Sequence, residues 1–291
     1  MSTCGSATKL NIEILVPSIG AIIHDFDLSK PLTADEKTQL EQALYKHHVL
    51  VFRQQHLTPE QQRDFALQFG QAHIHPVYPH IPECPEVTVI EFGGTDIKPD
   101  SDIWHTDVTF SSNPPIIGML YAKEIPKQGG GDTLWANMSQ LYEQELSTGM
   151  QQFLEHLTAE HSLSKGFNSA IRPNSEQQLA QANQQYPSVQ HPVIRQHPVT
   201  GKKCVFVNMI FTTRIIELNS IESDLVLNYL FSLINKRPEL TCRWKWNEND
   251  VVLWDERSTQ HYATADYWPQ KRKMHRVAVI TKDENEQGDG K

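Results

Sequence analysis

The spacing of apolar residues along this chain shifts between helical, alternating and unbroken patterns, and each shift marks an element. Val49-Leu50-Val51-Phe52 is an unbroken run too short for a helix, and it predicts a buried strand. A strand-like stretch at residues 10 to 16 comes before it. So does Thr33-Ala34-Asp35-Glu36, a capping box that opens a helix through Leu40, Ala43 and Leu44. Thr58-Pro59-Glu60-Gln61 is a second start signal with proline at the first helical position. Phe65, Ala66 and Phe69 give that helix an apolar face, and Gly70 ends it. The opening of the chain is thus an α-rich flank ahead of a β core.

Residues 87 to 92 and 116 to 122 have strand character. Gly129-Gly130-Gly131-Asp132-Thr133 lacks the lysine and helix start of a phosphate loop, so it predicts a tight turn into a strand that presents Thr133. Met150, Phe153, Leu154 and Leu157 have the spacing of a packed helix face. Residues 193 to 207 suit a hairpin around Thr200-Gly201, and Asn219 caps a helix through Leu225, Tyr229 and Leu233. Arg243-Trp244-Lys245-Trp246 alternates, residues 247 to 250 turn, residues 251 to 254 run back, and residues 276 to 281 form the last strand. A Gln- and Asn-rich stretch at 173 to 190 makes residues 165 to 190 a lid or insertion. Short strands without a βαβ rhythm or internal repeats point to a mainly β, jelly-roll type sandwich with flanking helices, in one domain over residues 1 to 291.

Composition narrows the function. The formal charge is -9, from 26 Lys+Arg against 35 Asp+Glu, and no basic cluster tracks a phosphate backbone, so nucleic acid is not an expected partner. The cysteines at 4, 84, 204 and 242 are far apart, which suggests neither a zinc knuckle nor a disulfide framework. No run approaches the ~18 apolar residues of a membrane span. A cytoplasmic protein with no membrane partner is expected.

The candidate chemistry lies in Ile103-Trp104-His105-Thr106-Asp107-Val108-Thr109-Phe110. Polar His105, Asp107 and Thr109 alternate with other residues, so a strand here would point His105 and Asp107 the same way, toward one metal ion. His261 is the best third ligand. Two histidines and one carboxylate form the facial triad of non-haem iron oxygenases. The same three groups also bind zinc for hydrolysis, and a His-x-Asp pair is ordinarily a solvated or core-satisfied strand pair. Residues 73 to 80 hold three histidines and a tyrosine between two prolines, an ordered loop whose ordinary reading is surface.

Taken in order, His-Ile-His-Pro-Val-Tyr-Pro-His (73 to 80), Trp-His-Thr-Asp-Val-Thr-Phe (104 to 110), Gly-Gly-Asp-Thr-Leu-Trp (130 to 135), Phe-Thr-Thr-Arg-Ile (211 to 215), Thr-Gln-His-Tyr-Ala (259 to 263) and Met-His-Arg (274 to 276) resemble the Fe(II)- and 2-oxoglutarate-dependent dioxygenases of the taurine dioxygenase group. The resemblance runs through nearly the whole chain. It implies a double-stranded β-helix core, with His105, Asp107 and His261 as iron ligands and with Thr133 and Arg272 on the distal carboxylate of 2-oxoglutarate. A dicarboxylate that chelates iron at one end leaves a charged tail in a dry site, and a guanidinium fork satisfies it best.

Arg276 lies four residues past Arg272, so an extended backbone puts both on one face. By resemblance Arg276, His75 and Tyr78 contact the sulfonate and amine of the substrate, Phe167 and Phe211 are aromatic pocket residues, and Val108 joins the substrate-binding set. Ser101 stands where the group has asparagine near the amine, and Met209-Ile210 replaces a more polar pair. The implied reaction uses Fe(II), 2-oxoglutarate and O2 to hydroxylate taurine, or a related small sulfonate, at the carbon bearing sulfur. It releases sulfite, aminoacetaldehyde, succinate and CO2. An alkyl sulfate, another alkanesulfonate or a carboxylate such as a phenoxyacetate is the alternative substrate, and a non-catalytic jelly-roll binder is the reading from another class. A homo-oligomer, dimer or tetramer, is expected.

Overall fold

The run Val49–Phe52 is apolar at every position because both of its faces are covered. In the computed structural model, which describes residues 9–75, 78–94, 99, 102–166, 180–181 and 183–281, Leu50 and Phe52 share a core with Leu40, Leu44 and Phe65. Val49 and Val51 face a second core that contains Trp135, Trp244 and Trp254.

The first elements are β1 (Asn11–Val16), β2 (Ile19–His24), α1 (Ala34–His47), β3 (Val49–Phe52), α2 (Pro59–Ala66), β4 (Gln71–His73), β5 (His80–Ile81) and β6 (Cys84–Phe92). Both helices start as their sequences imply. Thr33 accepts from the Glu36 N–H while the Glu36 carboxylate accepts from the Thr33 N–H, and Thr58 and Gln61 form the same reciprocal pair. Next come β7 (Ile117–Glu124), β8 (Thr133–Asn137), α3 (Met138–Glu145), α4 (Thr148–Leu154) and β9 (Thr158–His161). The remainder is β10 (Val189–Pro192), β11 (Ile194–Gln196), β12 (Lys203–Val205), β13 (Thr212–Ile215), α5 (Ser220–Lys236), β14 (Thr241–Trp244), β15 (Val251–Asp255), β16 (Thr259–Ala263) and β17 (Arg272–Ile280).

Among the described residues the larger sheet runs β1-β2-β3-β15-β7-β17-β6-β5, with β4 also paired to β17, and a three-stranded sheet runs β14-β8-β16. These two sheets make the jelly-roll core. Its interior is aromatic: the rings of Trp135 on β8 and Trp254 on β15 lie 5.8 Å apart. Helices α1 and α2 cover the outer face of the larger sheet. Beyond the smaller sheet, α3, α5 and β12 build a third core around Leu141, Val205 and Leu230.

Four local expectations are corrected. Residues 103 to 110 are not a strand: His105 makes a single bridge to His261, and the chain then turns, with Val108 at φ 53°. The polar alternation there came from residues committed to long-range bonds, not from a half-exposed strand. The flank ahead of the β core is not separate, because β1, β2 and β3 extend the larger sheet. Phe153 and Leu225 point outward at 43% and 67% exposure, since among the described residues no layer covers short α4 or the outer side of α5. The last strand begins at Arg272, where pairing to both β6 and β7 starts earlier than the apolar run suggests.

Candidate active site

His105 and His261 face each other as a backbone pair. The His105 N–H donates to the His261 carbonyl at 2.9 Å, and the His261 N–H donates to the His105 carbonyl at 2.7 Å. Opposed residues project their side chains to the same side, and the two imidazole centroids are 4.1 Å apart. The left-handed backbone at Val108 then helps the chain double back, so Asp107 points at both rings. One donor atom from each of His105, Asp107 and His261 lies within 4.8 Å of the others, and all three residues are buried. His105 Nδ1 lies 2.7 Å from the Ile103 carbonyl, to which only a protonated nitrogen can donate, so Nε2 keeps its lone pair.

The gaps inside this cluster suit a shared ion. His105 Nε2 is 3.6 Å from Asp107 Oδ1, and His261 Nε2 is 3.7 Å from Asp107 Oδ2. Those separations are too long for hydrogen bonds, yet one ion with bonds of ~2.1 Å spans them. Arg276 Nη2 is only 2.8 Å from Asp107 Oδ2, but the approach lacks hydrogen-bond alignment, and both atoms, with Arg276 Nε, have no hydrogen-bond partner.

Burial alone would raise the Asp107 pKa. Arg276, then His261 and His105, outweigh it and hold the carboxylate below its ordinary range. Burial, then His105, lowers His261 to about 3, which keeps the imidazole in the neutral, metal-binding form. Glu256 sits behind Asp107, whose N–H donates to Glu256 Oε2 at 3.3 Å. Burial, then Asp107, pushes the Glu256 carboxyl well above its ordinary value.

A second group of fixed side chains lies where β8 and β17 begin. Arg272 donates from Nε to the Gly131 carbonyl at 2.9 Å and from Nη2 to Thr133 Oγ1 at 3.3 Å. Gly131 is required here: its φ is +72°, and a Cβ would lie 2.8 Å from Arg272 Cδ. Trp246 Nε1 donates to the same threonine oxygen at 3.0 Å. With two donors already on Oγ1, the Thr133 hydroxyl proton is free for an acceptor such as a carboxylate. Arg272 is buried, and the carboxylates of Asp132 and Asp266 pair with Arg243 instead.

A cavity of about 450 Å³ joins the two groups. His75, Tyr78, His105, Asp107, Val108, Thr133, Phe211, His261, Arg272 and Arg276 all line it, so the structure gathers ten residues singled out from the sequence. Two residues of the segment 73 to 80 are therefore not mere surface: His75 is buried, and its ring centroid lies 4.8 Å from that of the Tyr78 ring at an interplanar angle of 55°. Ser101 and Phe167 lie outside the described residues, as does most of the segment 165 to 190. The rest of the wall is mostly apolar and includes Ile90, Phe92, Ile103, Phe110, Leu163, Met209 and Ile210, with Lys165 as a further charged side chain in the lining. Glu256 and Trp246 were not among the site residues picked out from the sequence; Glu256 stands next to a second acid in Asp255-Glu256-Arg257, and neither it nor Trp246 carries a sequence signal of its place at the site.

A jelly roll with two histidines and one aspartate converging on a cavity, and a buried arginine fixed at its side, defines a mononuclear non-haem metal oxygenase. No helix among the described residues is long and apolar enough to cross a membrane. The sequence matches the taurine catabolism dioxygenase TauD, TfdA family over residues 11–278, and the chain belongs to that family. It is accordingly a 2-oxoglutarate-dependent dioxygenase that takes Fe(II), 2-oxoglutarate and O2, and its His-Asp-His donor set fits the metal.

Relatives include a protein named alkylsulfatase from Acinetobacter baylyi, 36% identical over 276 residues that cover 93% of this chain and 85% of that protein. An alpha-ketoglutarate-dependent sulfate ester dioxygenase from Pseudomonas putida is 32% identical over 287 residues, covering 96% and 92%. Among solved structures, a taurine dioxygenase from Burkholderia xenovorans superposes with a TM-score of 0.78 at 33% identity, covering 94% of this chain and 90% of the other.

Proposed function

We propose that this dioxygenase oxidises the carbon bearing the sulfur-containing head group of alkyl sulfate esters and alkanesulfonates, in preference to taurine. His105, Asp107 and His261 would hold the iron, and Thr133 with Arg272 would hold the distal carboxylate of 2-oxoglutarate. The observation that carries the substrate reading is the form of the cavity: buried Arg276 beside the metal-ligand cluster, and beyond it a mostly apolar wall of Ile90, Ile103, Val108, Phe110, Leu163 and Phe211, with the more exposed Lys165 also in the lining. A sulfate or sulfonate head matches the guanidinium, and an unfunctionalised carbon chain matches the wall. The names of the two relatives support the sulfate ester branch.

When bound, iron and 2-oxoglutarate would activate O2, the oxidant, so that one oxygen atom ends in succinate as 2-oxoglutarate loses CO2 and the other in the hydroxyl on the substrate carbon. The protein's part is placement. Arg276 and His75 orient the anionic head, and the apolar wall excludes water and brings the adjacent carbon to the metal. A carbon carrying both hydroxyl and sulfonate collapses to an aldehyde and sulfite; one carrying hydroxyl and a sulfate ester oxygen collapses to an aldehyde and sulfate.

The test supplies the purified chain with Fe(II) and 2-oxoglutarate and offers hexyl sulfate, hexanesulfonate, taurine and phenoxyacetate at equal concentrations, in air and anaerobically. Sulfate, sulfite and succinate are measured. The expected result is oxygen-dependent succinate matched by sulfate or sulfite, faster for the hexyl compounds than for taurine. Sulfate release without O2 would mean hydrolysis, and preferred turnover of phenoxyacetate would overturn the sulfur reading.

A further inference from the structure

The apolar wall of the cavity is fastened to the metal-ligand segment through one buried hydroxyl. Thr109, two residues past Asp107, is fully buried, and its Oγ1 receives Asn208 Nδ2 at 2.9 Å and lies 2.9 Å from His161 Nδ1. Asn208, also fully buried, uses its other side-chain atom on the wall: Oδ1 accepts the N–H groups of Ile210 at 3.1 Å and Phe211 at 2.9 Å. The Asn208 N–H donates to Thr212 Oγ1 at 2.9 Å, which closes the turn. One amide thus dictates where the Ile210 and Phe211 side chains project, and its opposite end is tied to the residue pair that carries a metal ligand.

Gly166, also part of the cavity lining, packs against the same wall. A Cβ on Gly166 would lie 2.6 Å from Ile210 Cγ2 and 3.0 Å from Phe211 Cε1, so the backbone at 166 packs directly on these side chains. Phe211 in turn meets Phe110 with centroids 5.0 Å apart. Every polar atom in this hub is spent on a neighbour, and none is aimed at a ligand. Its evident effect is to fix a distance, that between the metal-ligand cluster and the far wall of the cavity.

We propose that the Asn208–Thr109–His161 hub is a specificity-determining device: it sets which carbon of a bound aliphatic chain faces the metal, and hence the chain length the enzyme couples to sulfur release. These are positioning residues, acting through Phe211 and Asp107. The proposal rests on the alkyl sulfate and sulfonate reading above. If the hub sets distance, loosening it lets the chain slide, so 2-oxoglutarate is consumed while a carbon other than the one bearing the head group is hydroxylated and no sulfate or sulfite leaves.

The experiment measures sulfate or sulfite released per succinate formed across a C2 to C10 series of alkyl sulfates and alkanesulfonates. It compares the holoenzyme with Thr109→Val, Thr109→Ser, Asn208→Ala and Gly166→Ala, and thermal melts check folding. Loss of the Thr109 hydroxyl should lower the coupling ratio about fivefold, the scale of one hydrogen bond, and flatten the chain-length optimum. Thr109→Ser should restore both, and the KM for 2-oxoglutarate should stay unchanged. Gly166→Ala, which adds a methyl group within the cavity lining against Ile210 and Phe211 and removes none of the hub's hydrogen-bonding groups, should move the optimum to shorter chains and keep it sharp.

A stable Thr109→Val or Asn208→Ala enzyme with wild-type coupling and a wild-type chain-length profile would overturn the hub while leaving the substrate reading intact. So would variants that lose activity uniformly across the series. A wild-type enzyme that releases neither sulfate nor sulfite from any member would overturn the substrate reading, and the hub's role in it falls with it.

Discussion

Two buried aspartates, Asp107 and Asp255, each sit among histidine and arginine, and they differ in what is left over. Asp255 is closed. Arg257 donates from Nε to Oδ1 and from Nη2 to Oδ2, each at 2.9 Å, the Arg257 N–H adds a bond at 3.0 Å, and His197 Nε2 lies 2.9 Å from Oδ2. Burial raises its pKa, and Arg257 with the His197 bond more than reverses the effect. Asp107 has the same kinds of neighbours, but its histidines stand off at 3.6 and 3.7 Å, and its arginine is close without alignment. The same residue types make a completed cross-link in one place and a ligand-ready set in the other. The extra separation of the imidazoles decides which, and Asp255 and Glu256, adjacent at the end of β15, serve one cluster each.

The largest effect is expected from removing the ligand-ready set. His105→Ala, Asp107→Ala and His261→Ala should each reduce 2-oxoglutarate-dependent succinate formation to background; the two histidine variants should keep thermal midpoints near wild type, whereas Asp107→Ala also leaves Arg276 buried without its counter-charge and should melt lower. Near-native succinate formation by any of them would remove that residue from the metal set. The closed cluster should behave in reverse. Asp255→Ala leaves Arg257 buried without its counter-charge and should cost about 3–5 kcal/mol in urea unfolding. A loss under about 1 kcal/mol, typical of an exposed pair, would show that the network contributes little.

Metal binding separates the two clusters more finely. Mn(II) at about a hundred times its Kd should stabilise the wild-type chain by ~2.7 kcal/mol, and Asp107→Ala should show no such increment. Asp255→Ala should gain as much as wild type from its lower baseline. Equal increments in wild type and Asp107→Ala would place the metal elsewhere.

The smallest effect is a pH dependence beside the closed cluster. Burial lowers His48, which lies 2.8 Å from Ser258 Oγ, to about 4. Above the ordinary value of about 6.5 neither folded nor unfolded chain protonates this imidazole. Between ~6.5 and 4 the unfolded chain takes a proton that the folded one refuses, so stability falls as pH falls. Asp255 has a depressed pKa, and its contribution is lost only at more acid pH, below this window. Glu256, raised well above its ordinary value, acts with the opposite sign but equally in both proteins compared. His48→Asn should therefore lose about 2 kcal/mol less than wild type between pH 7.5 and 5. Parallel stability curves for the two proteins would show that His48 does not resist protonation in the fold.

What the sequence determined by itself was local, or carried by short motifs. The capping boxes at Thr33 and Thr58, the two-faced run Val49–Phe52 and the glycine turn before Thr133 follow from the chemistry of adjacent residues, and each has the form the sequence implies. The even spacing of Arg272 and Arg276 put both guanidiniums on one face of one strand, and both reach the cavity. The identities of His105, Asp107 and His261 were legible as a ligand set, but the strand expected to join the first two was not there. Only the tertiary structure decided that Asp107 turns back on His261, that Glu256 backs it from 149 residues away, and that Asn208 reaches Thr109 across 99 residues. Such bonds leave no period in the sequence. A hydrogen bond needs only that two atoms arrive within ~3 Å, and arrival is fixed by how the two sheets stack, not by either segment's own pattern.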